Sequence, residues 1–236
     1  MPLFRLDPRF PELFPDPLRT NGEGPACFGG DLSPERLFNA YRLGYFPWFA
    51  EGEPILWWHP DPRCVLYPED LRVSKSMRPY FNQQKYRVTY DRQFRRVMEE
   101  CRALYRPGQW GSWITEELIE GYVGLHELGI AHSVEVYEGE VLVGGLYGLS
   151  LGRVFFGESM FFKRPNASKF GFISLVQRLA SRGYHLIDCQ QETNHLLSLG
   201  ATSIPRPEFI DQLALIDMAN TERGKWSVED DDLELP

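Results

Sequence analysis

The chain has 236 residues, a formal charge of −8 and 43% apolar residues, enough for one large domain or for a main domain with a small companion. A charged fraction of 25% alongside that apolar share excludes a disordered composition, and no run approaches the roughly 18 apolar residues of a membrane helix. The opening "MPLFRLDPRFPELFPDP" is broken by prolines and acids and does not read as a signal peptide. Cys27, Cys64, Cys101 and Cys189 have no CxxC spacing and no His at metal-ligand intervals, so they read as reduced thiols in a cytoplasmic protein without a metal site.

The first sixty residues are Pro-rich with one clear helix, in "GGDLSPERLFNAYRLGYFPW", where Ser33 caps, Pro34 suits the first position and Gly44 the exit. "FPWFAEGEPILWWHPDPR" follows and reads as a packed loop region. The expected division is a small N-terminal domain over 1–62, a larger domain over 63–220 and an acidic tail over 221–236. "RCVLY" and "KYRVTYD" read as strands, and Phe94, Val97, Met98, Cys101 and Leu104 follow helical spacing. Thr115 caps a further helix that Gly129 stops. Three strands follow, joined by turns at Glu138-Gly139 and Leu151-Gly152. Asn166 opens a helix through Ser181, then come a strand over Tyr184 to Gln190, a helix ending at Gly200 and a last helix near Pro207 to Ala219.

The charge is unevenly distributed. From Leu71 to Arg106 ten bases face three acids, a local +7 inside an acidic protein, while "VEDDDLELP" carries five acids. A basic segment in an acidic chain suggests phosphate binding, with a solvated helix face as the alternative.

Three hairpin-linked strands, a helix, a strand and a helix make an α+β layer architecture, a mixed sheet flanked by helices. That order resembles the acetyltransferase fold of the GNAT superfamily. It departs from acyl-CoA enzymes of that fold in "FKRPNASKFG", which lacks the glycine-bearing pyrophosphate loop.

Two acids stand out. On an extended strand, Leu186, Asp188 and Gln190 share one face and Ile187 the other; Glu158 interrupts the apolar strand "FFGESMFF". If the two strands are neighbours, Glu158 and Asp188 approach one site, which points to proton management or cation recognition. Two separately satisfied structural acids are the alternative.

The blocks "GGDLSPERLFNAYRLGYFPWF", "PILWWHPDPR", "HELGIAHSVEVY", "LVGGLYG", "GESMF", "NASK", "LIDCQ" and "HLLSLGA" together resemble the leucyl/phenylalanyl-tRNA–protein transferase family, in order from about Phe28 to Gln212. The resemblance implies a cytoplasmic enzyme with a GNAT-like domain. It implies transfer of Leu or Phe, and of Met as a further donor, from aminoacyl-tRNA to the α-amino group of proteins that begin with Arg or Lys, marking them for N-degron degradation. Aminolysis of an ester by an amine runs downhill, so no cofactor is expected; orientation and charge stabilisation are the enzyme's tasks.

By the same resemblance Asp188 orients the acceptor amine and offsets its growing charge, Gln190 positions the ester or relays a proton, and Glu158 supports both electrostatically. Leu146, Phe155, Met160, Phe172, Leu175 and Ile187 fall at positions of the donor pocket. Trp48 and Trp113 match the tryptophans that contact adenine, with Tyr41 and Tyr122 as further candidates, and Lys75 and Arg78 are expected at tRNA phosphates. Two other readings stay open: an acyl-CoA N-acetyltransferase, against which the missing pyrophosphate loop counts, and a non-catalytic RNA-binding module, which Asp188 and Glu158 on strand faces fit poorly because carboxylates repel phosphate.

Overall fold

The computed structural model describes residues 3–104 and 112–227. Short apolar pieces of the Pro-rich N-terminal region pair into a four-stranded sheet: β1 (Phe4–Leu6), β2 (Pro25–Gly29), β3 (Phe46–Pro47) and β4 (Leu56–Trp58), in the order β1-β2-β4-β3. The stretch expected as a packed loop therefore contains two strands. What pins them is Trp57, fully buried, whose ring N–H donates to the Gly29 carbonyl at 2.9 Å. Helix α1 (Pro34–Arg42) lies between β2 and β3, and the Ser33 hydroxyl caps it by accepting the Arg36 N–H, as expected.

The second sheet has seven strands in the order β11-β5-β10-β9-β8-β7-β6. Its members are β5 (Arg63–Leu66), β6 (Arg87–Tyr90), β7 (Ala131–Glu138), β8 (Val141–Leu151), β9 (Val154–Phe162), β10 (Leu186–Gln190) and β11 (Thr202–Ile204). The meander β7-β8-β9 turns at Gly139 and Gly152, both at positive φ (59° and 57°), where a Cβ would be strained. β10 lies parallel to β9 and antiparallel to β5, so the sheet is mixed. Thus β9 and β10, which carry Glu158 and Asp188, are neighbours.

Helices α2 (Arg78–Asn82), α3 (Phe94–Ala103), α4 (Glu116–Glu127), α5 (Ala167–Ser181), α6 (Asn194–Ser198) and α7 (Arg206–Ala214) complete the chain. Thr115 caps α4 through the Leu118 N–H. Asn166 does occupy the cap position of α5, but in a left-handed conformation and without a side-chain bond. The last helix ends at Ala214, because Asp217 starts a separate 3-10 turn by accepting the Ala219 N–H. Strand β11 and helix α2 went unread in the sequence, being only 3 and 5 residues long.

Two apolar cores form. One collects residues of the small sheet, α1, α3 and α4 with Phe156 and Leu186; the other collects α5 with Phe155, Leu146 and Ile187 from the opposite face of the large sheet. The first core joins the two sheets, so burial couples the N-terminal region to the rest. Residues 221–227, the start of the expected acidic tail, pack back against the large sheet. Trp226 is buried, stacks on His132 at 3.8 Å and donates its backbone N–H to Asp91 at 2.8 Å. The acidic run 228–236 lies outside the described residues.

Deleting so large a buried side chain removes apolar burial and leaves a cavity. Trp226→Ala is expected to lower unfolding free energy by about 3 kcal/mol in denaturant titration; wild-type stability would show that this segment does not pack as described.

Candidate active site

The residues around β9 and β10 explain how a packed sheet can carry a site. Pairing of β10 with β9 runs from Leu186 opposite Val154 to Asp188 opposite Phe156 and stops there. Each strand then bulges: Glu158 is the extra residue where β9 pairs with β8, and Cys189 the extra residue where β10 pairs with β5. A bulge bends its strand and re-aims the side chains beside it. The conformation at Gln190 is left-handed, with φ at 63°.

A cleft of about 500 Å³ opens at this point. Its lining includes Trp48, Trp113, Leu146, Phe155, Glu158, Met160, Phe172, Ile187, Asp188 and Gln190, ten of the residues singled out in the sequence. The opening draws on both sheet faces, which is how Ile187 and Asp188, alternating along one strand, both border it. The cleft also takes in Leu104, Ser168, Cys189, His195 and Leu196. Sequence reasoning missed these, since nothing in a serine on α5 or a leucine ending α3 announces a pocket. Leu175 is not among the lining; it is buried in the second core on α5.

Glu158 stands at the centre of a polar network. Its carboxylate accepts the Tyr41 hydroxyl at 2.6 Å, the Tyr122 hydroxyl at 3.1 Å and the Gln190 side-chain N–H at 2.7 Å, and the two tyrosine hydroxyls touch each other. Burial pushes the Glu158 carboxyl up to about 7, although the bonds from Tyr41 and Tyr122 pull the other way. Burial, with the nearby Glu158 charge, also drives both phenols well above their ordinary value, so they remain donors. A carboxylate offers about four lone-pair sites; the three donors leave one. Tyr41 and Tyr122 are fully buried. Their expected place against adenine is therefore corrected: no ring face is open to a base, and they serve Glu158 from beneath.

Asp188 differs from the expectation more sharply. Its side chain is 0% exposed and is clamped by Arg63, with Nε at 2.8 Å and Nη2 at 2.6 Å. The Arg63 guanidinium lies between the rings of Phe46 and Phe209, at 4.8 and 4.6 Å. One Asp188 oxygen also accepts the Gln190 backbone N–H at 2.9 Å. A carboxylate sealed in this way does not face an incoming amine; it fixes the bulge that aims Gln190. The cation was the missing piece, since a buried acid requires a partner and Arg63 opens the strand next door.

Trp48 and Trp113 are half-buried at the rim, and Trp48 packs on Trp58 at 5.1 Å. Lys75 and Arg78 are exposed, before and at the start of α2. Much of the rest of the basic segment is matched: Arg95 and Arg102 meet Glu116, Arg96 meets Glu99 and Glu100, and Arg87 meets Glu140. Of these acids Glu99 and Glu100 are already counted in the local +7, and Glu116 and Glu140, brought in by folding, partly neutralise it. No helix among the described residues is long and apolar enough to cross a membrane.

The family model described as leucyl/phenylalanyl-tRNA protein transferase matches residues 65–214, and the model of that family's N-terminal domain matches residues 30–61. A leucyl/phenylalanyl-tRNA–protein transferase of Myxococcus xanthus is 52% identical over 227 residues, covering 96% of this chain and 97% of its own. One from Christiangramia forsetii is 55% identical over 201 residues, covering 84% of this chain and 95% of its own. A crystal structure of a conserved protein of unknown function from Bacteroides thetaiotaomicron overlaps 61% of this chain and 57% of its own, with a TM-score of 0.48 and 14% identity. The protein is an aminoacyltransferase, moving an aminoacyl group from tRNA to a protein. The chain belongs to the leucyl/phenylalanyl-tRNA–protein transferase family.

Removing one partner of a buried ion pair strands the other charge, at a cost of about 3–5 kcal/mol. Asp188→Ala is expected to lose stability on that scale, and the double variant Arg63→Met with Asp188→Leu to regain most of it. Equal unfolding midpoints for Asp188→Ala and wild type would remove the structural role assigned to the pair.

Proposed function

We propose that this protein transfers Leu or Phe, and Met as a further donor, from aminoacyl-tRNA to the α-amino group of proteins whose first residue is Arg or Lys. The product carries a new N-terminal residue that marks it for N-degron degradation in the cytoplasm. The observation that carries this reading is the meeting of one apolar recess, two rim tryptophans and the Glu158–Gln190 pair in a single cleft of a chain from this family.

In this reading the donor side chain sits among Leu146, Phe155, Met160, Phe172 and Ile187. Met160 suits more than one guest, because a thioether adapts its shape. The terminal adenosine stacks on Trp48 and Trp113, while Lys75 and Arg78 meet phosphates. The catalytic sheet is GNAT-like in strand order, with the aminoacyl ester replacing the acyl thioester.

The reaction joins the amine nitrogen to the ester carbon, breaks the bond to the ribose oxygen and leaves one amine proton for that oxygen. Gln190 gives one of its two side-chain N–H groups to Glu158, and its side-chain carbonyl accepts an N–H of the attacking amine. Glu158, with one lone pair unspent and a pKa of about 7, can hold a proton between its departure from nitrogen and its arrival at oxygen. Asp188 acts at one remove, by positioning Gln190.

Glu158 carries its proton below about 7 and is ionised above it. Transfer measured at saturating substrates should therefore rise with pH through about 7, and Glu158→Gln should abolish that limb. Only the titration of the acceptor amine, near 7.7–8.0, would then remain. An unchanged profile in Glu158→Gln would remove the proton-holding role.

Incubation with labelled Leu-tRNA, Phe-tRNA, Val-tRNA or acetyl-CoA and a peptide beginning with Arg tests the whole reading. Label should reach the peptide from the first two alone; label from acetyl-CoA, or RNA retention without transfer, would overturn it. Stacking of one base is worth about 1–3 kcal/mol. Trp113→Ala should accordingly raise the KM for Phe-tRNA roughly tenfold and leave that for the peptide unchanged; a change confined to the peptide would reverse the assignment.

A further inference from the structure

The bulge that carries Gln190 has a chemical feature the transfer reaction does not use. In the antiparallel pairing of β10 with β5, Cys64 stands opposite Gln190, and Cys189 is the inserted residue. At a bulge two residues of one strand face one residue of the other. Cys189 and Gln190 together therefore face Cys64.

Both thiols lie on the same side of the sheet: Cys64 belongs to the second core and Cys189 packs against it. Each thiol shifts the other's titration, Cys189 lowering the pKa of Cys64 and Cys64 raising that of Cys189, while the Cys189 thiol itself donates to the Ile187 carbonyl at 3.9 Å. Cys64 pairs directly with Gln190, Cα atoms of such partners lying about 4.5–5.5 Å apart, and Cys189 is the adjoining residue of the same bulge, so a shift of the bulge brings the two cysteines within the roughly 4.4–6.8 Å that a disulfide spans. Cys189 is half-buried and borders the cleft, so a small oxidant can reach the pair. The other two cysteines, Cys27 and Cys101, are sealed in the first core, and burial pushes the Cys27 thiol up to about 12.

We propose that Cys64 and Cys189 form a peroxide-sensitive disulfide that reversibly shuts the aminoacyl-transfer cleft. Peroxide oxidises one thiol of the pair to a sulfenic acid and leaves as water. The second sulfur then displaces the sulfenic oxygen as another water and forms the S–S bond. Two thiols lose two protons and two electrons, and the peroxide is reduced to two waters.

Closing the sulfurs to about 2.05 Å draws the bulge toward β5. The residue after Cys189 is Gln190, whose side chain must reach Glu158 at 2.7 Å. Misplacing a catalytic group by about 1 Å can cost on the order of 100-fold in rate. In a reducing compartment such a bond is transient, which is the behaviour expected of a sensor and not of a staple.

The effect on transfer rests on the function proposed above; the covalent bond does not. The full chain is treated with hydrogen peroxide and mapped by mass spectrometry without reduction, with transfer assayed before oxidation, after it and after dithiothreitol. The expected result is a peptide pair linked through Cys64 and Cys189, transfer lowered on the order of 100-fold, and recovery of both thiols and activity on reduction. Cys64→Ala should keep basal transfer and yield no linked pair, with Cys64→Ser as the substitute if the alanine variant does not fold. Oxidation of Cys189 while Cys64 stays a free thiol would overturn the proposal, as would a linked pair with undiminished transfer. Absence of transfer in the reduced wild type would count against the functional reading alone.

Discussion

The buried pair of Arg63 and Asp188 is the constraint on which the site's geometry turns. Two full charges in an apolar interior are tolerated because both Asp188 oxygens are engaged and the guanidinium lies between two phenyl rings. The pair ties β5 to β10 across the place where β10 departs from regular pairing. Its energy gives specificity to one register: a slip by one residue would turn Asp188 to the other face and leave Arg63 alone. The same carboxylate holds the Gln190 N–H, so one side chain fixes both the strand pairing and the position of Gln190.

From that anchor the division of labour follows. Pairing between β9 and β10 ends where Asp188 faces Phe156, and just beyond it the bulges at Glu158 and Cys189 border the cleft. Apolar residues from one face line the recess while polar residues approach from the other. Tyr41 on α1 and Tyr122 on α4 reach up from the first core and hold Glu158 in place, so the N-terminal region contributes to the polar centre and not only to the rim. Burial then gives Glu158 a pKa of about 7, the range in which a carboxyl can both take and return a proton.

The legible part of this arrangement was the part written as periodicity or as motif. Helices α1, α3, α4 and α5 and the meander show themselves through apolar spacing, capping residues and turn glycines, and Glu158 and Asp188 stood out as acids in apolar strands. The small N-terminal sheet did not, because strands of two to five residues among prolines show no alternation long enough to read. Arg63 was hidden for another reason. It lies 125 residues from Asp188, and no local pattern says which distant cation a buried acid will meet. The tyrosines were noticed as stacking candidates, and only their depth shows that no ring face is open and that their hydroxyls bond Glu158 instead.

An amide analogue of 3′-phenylalanyl-adenosine, bound to the protein, tests the proposed division of the cleft most directly. A crystal structure of that complex should seat the phenyl ring among Leu146, Phe155, Met160 and Phe172, with the amide linkage beside Gln190 and the Arg63–Asp188 pair unbroken. A complex in which Asp188 leaves Arg63 to contact the ligand, or in which the ring lies outside this recess, would contradict it.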